Sequence, residues 1–192
     1  MSASHDRYSR WSITLHWLIA LIIIGNLAGG LLLESLFNAR DPATRQLGFT
    51  VVQVHKSMGL TVLVLSLVRL AMRLREGFPQ LPGHMTATER FLARVTHYGF
   101  YALMIGIPLS GWMMVSASPL NFPTIWFGLF EWPHLPTGTS KVLAERAGAA
   151  HQWLAYGAIV LLLLHVAGAL KHHFMDRDDV LARMLPFVRR RA

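Results

Sequence analysis

Four stretches of this chain stay apolar for the length of a membrane crossing, and polar residues return between them. They cover about residues 11–33, 51–72, 95–116 and 150–171. Each reaches the roughly 20 residues that a helix needs to cross bilayer hydrocarbon. Apolar residues occupy whole stretches rather than one face, the pattern of helices buried in lipid. The first stretch has no small-residue cleavage site behind it and is expected to be a retained helix, not a signal peptide. Pro108 inside the third predicts a kink rather than a break.

The connections differ in character. Residues 34–50 form a polar link with the turn signal Asp41-Pro42. Residues 73–94 are basic and contain Pro79 and Pro82. Residues 117–149 combine Phe122, Trp126, Phe127, Phe130 and Trp132 with four prolines. They predict a loop lying on the membrane interface, where aromatic side chains anchor. Within that link, residues 140–149 predict a short helix leading into the fourth span. The expected architecture is therefore all-α: one domain over residues 1–192, an integral membrane four-helix bundle.

Charge adds an orientation. Four crossings put both termini on one side, and 13 of the 18 basic residues fall there, including Arg189 to Arg191 at the end of the tail. The positive-inside rule places that side, and both termini, in the cytoplasm. Hydrophobic residues make up 53% of the chain and charged residues 15%. The formal net charge of +8 is then a topology and lipid-surface bias and not a nucleic-acid footprint. The absence of cysteine excludes disulfides, thiolate-held iron–sulfur clusters and covalently attached haem.

Histidines supply the candidate chemistry. His151 and His165 lie fourteen residues apart in the fourth span. On a helix that is about 21 Å of rise and roughly 40° short of four turns, so both imidazoles point to nearly one side. His16 opens the first span and shares the inner level with His165. His55 opens the second and shares the outer level with His151. Ionisable groups within a membrane segment are costly and mark function by default. Two histidines per level make two bis-histidine sites. Zinc or di-iron centres would want more ligands, usually carboxylates, and the span interiors hold no Asp or Glu. Haem brings four nitrogens of its own and needs only two axial side chains. Gly59 and Gly168, near His55 and His165, fit either a flat macrocycle approaching the backbone or tight helix packing, and alone favour neither.

The remaining polar groups are given smaller roles. His97 also lies at the inner level, where it could compete with His165 for the same haem, and is expected rather as a propionate or quinone contact. Arg69 and Arg73 share a helix face and either reach the inner headgroups or hold a propionate or quinone carbonyl. Arg10 and Lys56 adjoin the two levels and carry the same two readings. His172 and His173 are expected as an interfacial pair complementing the helix end. His5, His84 and His134 are expected at the surface.

These motifs carry a resemblance. His55-Lys-Ser-Met-Gly59, the spaced His151 and His165, Leu170-Lys-His-His-Phe174 and the run Asp176 to Met184 resemble the bacterial di-haem cytochrome b561 family. So does the start, Arg7-Tyr8-Ser9 through His16-Trp17. The resemblance implies two haems b, ligated by His16 with His165 and by His55 with His151, in the bacterial inner membrane. It implies one-electron exchange with ubiquinone and with either superoxide or a periplasmic redox protein. A superoxide:ubiquinone oxidoreductase is the enzymatic expectation. A non-enzymatic electron conduit or anchor subunit is the alternative. A histidine-based proton or metal transporter would need no haem at all. The predicted outer face carries a net charge of only +1, so the charge count gives no support to steering of an anion.

Overall fold

In the computed structural model, residues 9–76 and 85–185 are described. Arg7, Tyr8, His5, Pro79, Pro82, His84 and Arg189 to Arg191 lie outside the described residues. Four long helices dominate: α1 (Arg10–Phe37), α2 (Pro42–Glu76), α3 (Ala87–Ala117) and α4 (Lys141–Lys171). All four are long and apolar enough to cross a membrane.

Each helix starts where the chain supplies a cap. Ser9 Oγ accepts from Ser12 N–H at 3.2 Å, and Asp41 Oδ2 accepts from Thr44 N–H at 2.8 Å. Pro42 then takes the first position of α2, where a missing N–H costs nothing. Thr86 and Glu89 form a reciprocal capping box at the start of α3. Ser140 caps α4, accepting from Leu143 N–H at 3.3 Å. These caps lie outside the apolar runs, so every helix outlasts its hydrophobic span. α3 runs unbroken through the buried Pro108.

Residues 140–149 are not a separate short helix, as the sequence had predicted. They form the first turns of α4, because Ser140 caps the helix and no breaker follows before His151. The preceding link is also more ordered than an interfacial loop. It contains an antiparallel hairpin of β1 (Thr124–Trp126) and β2 (Phe130–Trp132), with Ile125 opposite Glu131. Phe127 and Gly128 turn it with positive φ, 47° and 77°. The hairpin lies on α2. Ser57 Oγ accepts from Phe127 N–H at 3.0 Å, Lys56 Nζ donates to the Pro123 carbonyl at 2.7 Å, and Trp126 Nε1 donates to Thr61 Oγ1 at 3.2 Å. Beyond the hairpin, Trp112 Nε1 donates to the Pro133 carbonyl at 2.9 Å and Leu135 N–H to Ser116 Oγ at 2.9 Å. The link thus caps α2 and α3 at what we call the hairpin end. His134, expected at the surface, keeps its Nε2 buried without a partner.

Packing is inverted relative to a water-soluble bundle. Leu21, Leu31, Leu163 and Leu164 are 60–66% exposed, facing the space lipid would fill. The interior is small and partly polar: Ser57 and Ser66 are fully buried on α2, with Leu60, Val62 and Leu63. α1 packs on α2, α2 on α3 and α3 on α4, while α1 and α4 approach far less.

At the opposite, terminal end, α4 continues into a single π-helical turn (His172–Asp176) stopped by Arg177 in the left-handed region, then a 3₁₀ turn (Leu181–Arg183). Trp17 Nε1 on α1 donates to the Met184 carbonyl at 2.7 Å. Lys171 Nζ bridges Glu89 of α3 and Asp176 at 2.5 and 2.8 Å.

Candidate functional site

The loose seam between α1 and α4 opens into a cavity of about 420 Å³ that reaches from the hairpin end toward the middle of the bundle. Its walls come from all four helices and are mostly apolar, among them Ile23, Leu60, Leu103 and Leu162. His55 and His151 face each other in it, with ring centres 5.9 Å apart. His55 Nδ1 lies 3.1 Å from the Asn26 carbonyl and His151 Nδ1 lies 2.8 Å from the Ile107 carbonyl. A carbonyl can only accept, so each Nδ1 donates and each Nε2 keeps its lone pair free.

Two glycines make room for these rings. A Cβ on Gly30 would stand 3.0 Å from His55 Cε1, and a Cβ on Gly111 3.0 Å from both Cε1 and Nδ1 of His151. Of the two glycines named from the sequence, Gly59 also lines the cavity. A Cβ on Gly59 would meet only Asn26 Nδ2 at 3.7 Å, and one on Gly168 nothing within 4 Å. Gly30 and Gly111, which face a histidine from the neighbouring helix, were not singled out in the sequence.

The second cluster lies toward the terminal end. His165 of α4 has ring centres at 6.3 Å from His16 of α1 and 6.2 Å from His97 of α3. Phe100 packs edge-on against His165 at 5.2 Å. His97 Nδ1 donates to the Ala93 carbonyl one turn back, at 2.6 Å. His16 differs from the others, since its Nδ1 lies 3.2 Å from Nη1 of Arg69 on α2. The predicted pairs are therefore brought together in space, with His97 equally near His165.

The other candidate residues are distributed unevenly. Arg69 and Arg73 are half-buried at the inner cluster's end of α2. Lys56 lines the cavity, but its ammonium is bonded to the Pro123 carbonyl. Arg10 is exposed at the first residue of α1. His172 is not simply a helix-end group at an interface. Its Nδ1 lies 2.7 Å from Asp178 Oδ2 and 3.0 Å from Asp176 Oδ2, tying α4 to the returning segment. His173 stacks edge-on with Phe174 at 4.8 Å. Asn26 and Ile107, which orient the hairpin-end rings through backbone carbonyls, were not visible in the sequence.

The His55–His151 pair and the cavity it lines fit a flat, metal-centred macrocycle. A metal–imidazole bond of about 2 Å on each side, with the radius of each ring added, gives about 6 Å between ring centres. The glycine hollows and the fixed Nδ1 protons belong to the same fit. Comparison with known proteins gives the family. The prokaryotic cytochrome b561 pattern matches residues 7–187. The chain belongs to the prokaryotic cytochrome b561 family. Among its relatives, Cytochrome b561 homolog 2 of Escherichia coli is 35% identical over 181 residues, covering 94% of this chain and 92% of the relative. The Probable superoxide oxidase CybB of Yersinia pestis is 30% identical over 182 residues, covering 95% and 97%. Cytochrome b562 of Cereibacter sphaeroides is 28% identical over 181 residues, covering 93% and 94%. As a b561-family cytochrome with four membrane-spanning helices, this chain is a multi-pass protein of the bacterial inner membrane. Its family function is haem b-based membrane electron transfer.

Proposed function

We propose that this cytochrome b561 carries two haems b, one held by His55 and His151 and the other by His16 and His165. It exchanges single electrons with ubiquinone, and it oxidises superoxide at the hairpin end, which is the periplasmic face. Both termini are then cytoplasmic, in keeping with the distribution of basic residues. The observation that carries the reading is the pair of histidine contacts, 5.9 Å at the hairpin end and 6.3 Å toward the terminal end. The name of the Yersinia pestis relative supports the superoxide step.

When bound, haem would supply an iron that gains and loses single electrons. The chain does the rest. Asn26 and Ile107 carbonyls hold the Nδ1 protons of His55 and His151, which keeps each Nε2 turned inward. Apolar walls exclude water from the cavity and so strengthen every charge effect inside it. Arg10, Lys56, Arg69, Arg73 and His97 are the propionate and quinone contacts of this reading, although Arg10 is exposed and Lys56 also holds the hairpin. The resemblance assigns His16 rather than His97 to the second pair, since ring separations alone treat them equally.

A visible spectrum and haem-to-protein ratio test it, on wild type beside His16→Ala, His97→Ala, His151→Ala and His165→Ala. The expected result is two low-spin haems in wild type and in His97→Ala. His151→Ala should lose one, and His16→Ala and His165→Ala the other. A well-folded wild type without haem would sink the reading. Rapid reduction of the protein by superoxide, followed by reoxidation by quinone, would establish the enzyme. The conduit remains as a second reading because the hairpin exposes Phe127, Leu129 and Phe130 by 47–73%. It predicts no reduction by superoxide and co-purification of a periplasmic redox protein.

A further inference from the structure

The Ile107 carbonyl that holds His151 has a second side chain on it. His151 Nδ1 on α4 donates to this oxygen of α3 at 2.8 Å. The Ser110 hydroxyl, three residues on along α3, donates to the same oxygen at 2.8 Å. Ser110 Oγ also lies 3.4 Å from His151 Nδ1. One oxygen thus receives two side-chain protons. In an α-helix a carbonyl also serves the N–H four residues on, so its two lone pairs are shared among several donors. A serine that bonds back to the preceding turn is ordinarily a local matter of the helix. Here the oxygen it bonds is the one that polarises His151. A carbonyl that accepts from a ligating imidazole makes the ring more basic, which favours the more positive state of its metal. A competing hydroxyl draws on the same lone pairs and weakens that effect. The 3.4 Å contact acts the other way, with Oγ as a second acceptor for the ring proton, but at that length it is much the weaker of the two.

We propose that Ser110 is a positioning residue that limits how far the Ile107 carbonyl polarises His151, and so holds the hairpin-end site at a higher potential than the carbonyl alone would set. A higher potential makes that site the better acceptor for an electron arriving from the hairpin face. The inference rests on the His55–His151 half of the reading above and adds a tuning residue to it. Ser110 acts only through the carbonyl and the ring. It makes and breaks no bond in the reaction, and each transfer leaves one partner oxidised and the other reduced by one electron.

The test is a redox titration of the haem-loaded protein, followed by its visible bands. His165→Ala, which keeps the haem of His55 and His151, identifies the hairpin-end couple. Ser110→Ala should shift the ferric–ferrous equilibrium of that site roughly threefold toward ferric, the scale of about half a hydrogen bond. For a one-electron couple, at about 59 mV per tenfold, that is about 28 mV downward. The potential of the other haem should not move. Ser110→Thr keeps a hydroxyl that can bond the same carbonyl and should stay near wild type. Ser110→Val has the shape of threonine without the hydroxyl and should follow Ser110→Ala. A merely structural role predicts no difference between the threonine and valine variants confined to one haem. Equal hairpin-end potentials in those two overturn the proposal, even if Ser110→Ala fails to fold. So does a Ser110→Ala protein whose hairpin-end potential is unchanged or raised, and in either case the two-haem reading stands. A wild type without the haem that His151→Ala removes would remove that reading and this inference together.

Discussion

Replacing Gly111 by alanine adds one methyl group where the structure has no space for it. The new Cβ would stand 3.0 Å from Cε1 and Nδ1 of His151. The imidazole must give by a few tenths of an ångström, at the expense of its 2.8 Å bond to the Ile107 carbonyl. Losing that bond costs about 1 kcal/mol. Holding the ring off its preferred rotamer costs about 1 kcal/mol more. Together that is about 2 kcal/mol against the ligating geometry, or roughly a thirtyfold weaker hold on the hairpin-end haem at about 1.4 kcal/mol per tenfold. The helix itself gains from the change, because alanine is favoured over glycine in a helix interior by about 1 kcal/mol. Loss of haem therefore cannot be put down to a weakened α3. The assay is the rate and extent of haem loss on dilution, with Gly168→Ala as control, since a Cβ there meets nothing within 4 Å. Gly111→Ala should lose one haem of two, the one that His151→Ala also loses. If both alanine variants keep two haems with equal release rates, the glycine hollow is not what seats His151.

Three further outcomes follow from contacts outside the cavity. Ser57→Ala removes the acceptor of the Phe127 N–H and the donor to the Ile125 carbonyl. It should destabilise the hairpin by about 1–3 kcal/mol, read as faster proteolysis within residues 124–132 while the helical content is unchanged. Asp41 accepts from the backbone N–H and hydroxyl of Thr44, and these bonds hold its carboxyl below the usual range. A lowered acid pKa stabilises the fold above the unfolded value and is lost as pH falls through the folded one. Exchange protection at Thr44 N–H should thus be flat from neutral pH to about pH 4 and fall below it, whereas Asp41→Ala should lack it throughout. Lys171→Met strands Glu89 and Asp176, which the ammonium bridges. Trypsin should then cut faster after the exposed Arg177, and an unchanged rate would show the bridge contributes nothing to holding that turn.

The spans and the histidine pairs were legible because both depend on spacing along one helix. A hydrophobic run of membrane length and a fourteen-residue interval need no knowledge of neighbours. The glycine hollows were not legible, because Gly30 on α1 and Gly111 on α3 matter only through the helices facing them. The same holds for Asn26 and Ile107, which act through backbone carbonyls that every residue possesses. Arg69 was recognised as a candidate, but its place against His16 required the register of α1 on α2. The hairpin escaped for another reason. Its strands are three residues each, and left-handed Phe127 departs from the Asn, Asp or Gly that ordinarily signal such a turn.

The gap between α1 and α4 also bears on how the folded protein is maintained. Helices that meet on only one flank leave part of their seam to be closed by something other than protein. Anything that binds there and not to the unfolded chain adds stability as the logarithm of its free concentration over its dissociation constant. The melting temperature of this protein then becomes a gauge of cofactor supply. Cells short of haem would hold a population that opens more often and is cleared sooner, so its abundance would follow haem availability without any dedicated regulator.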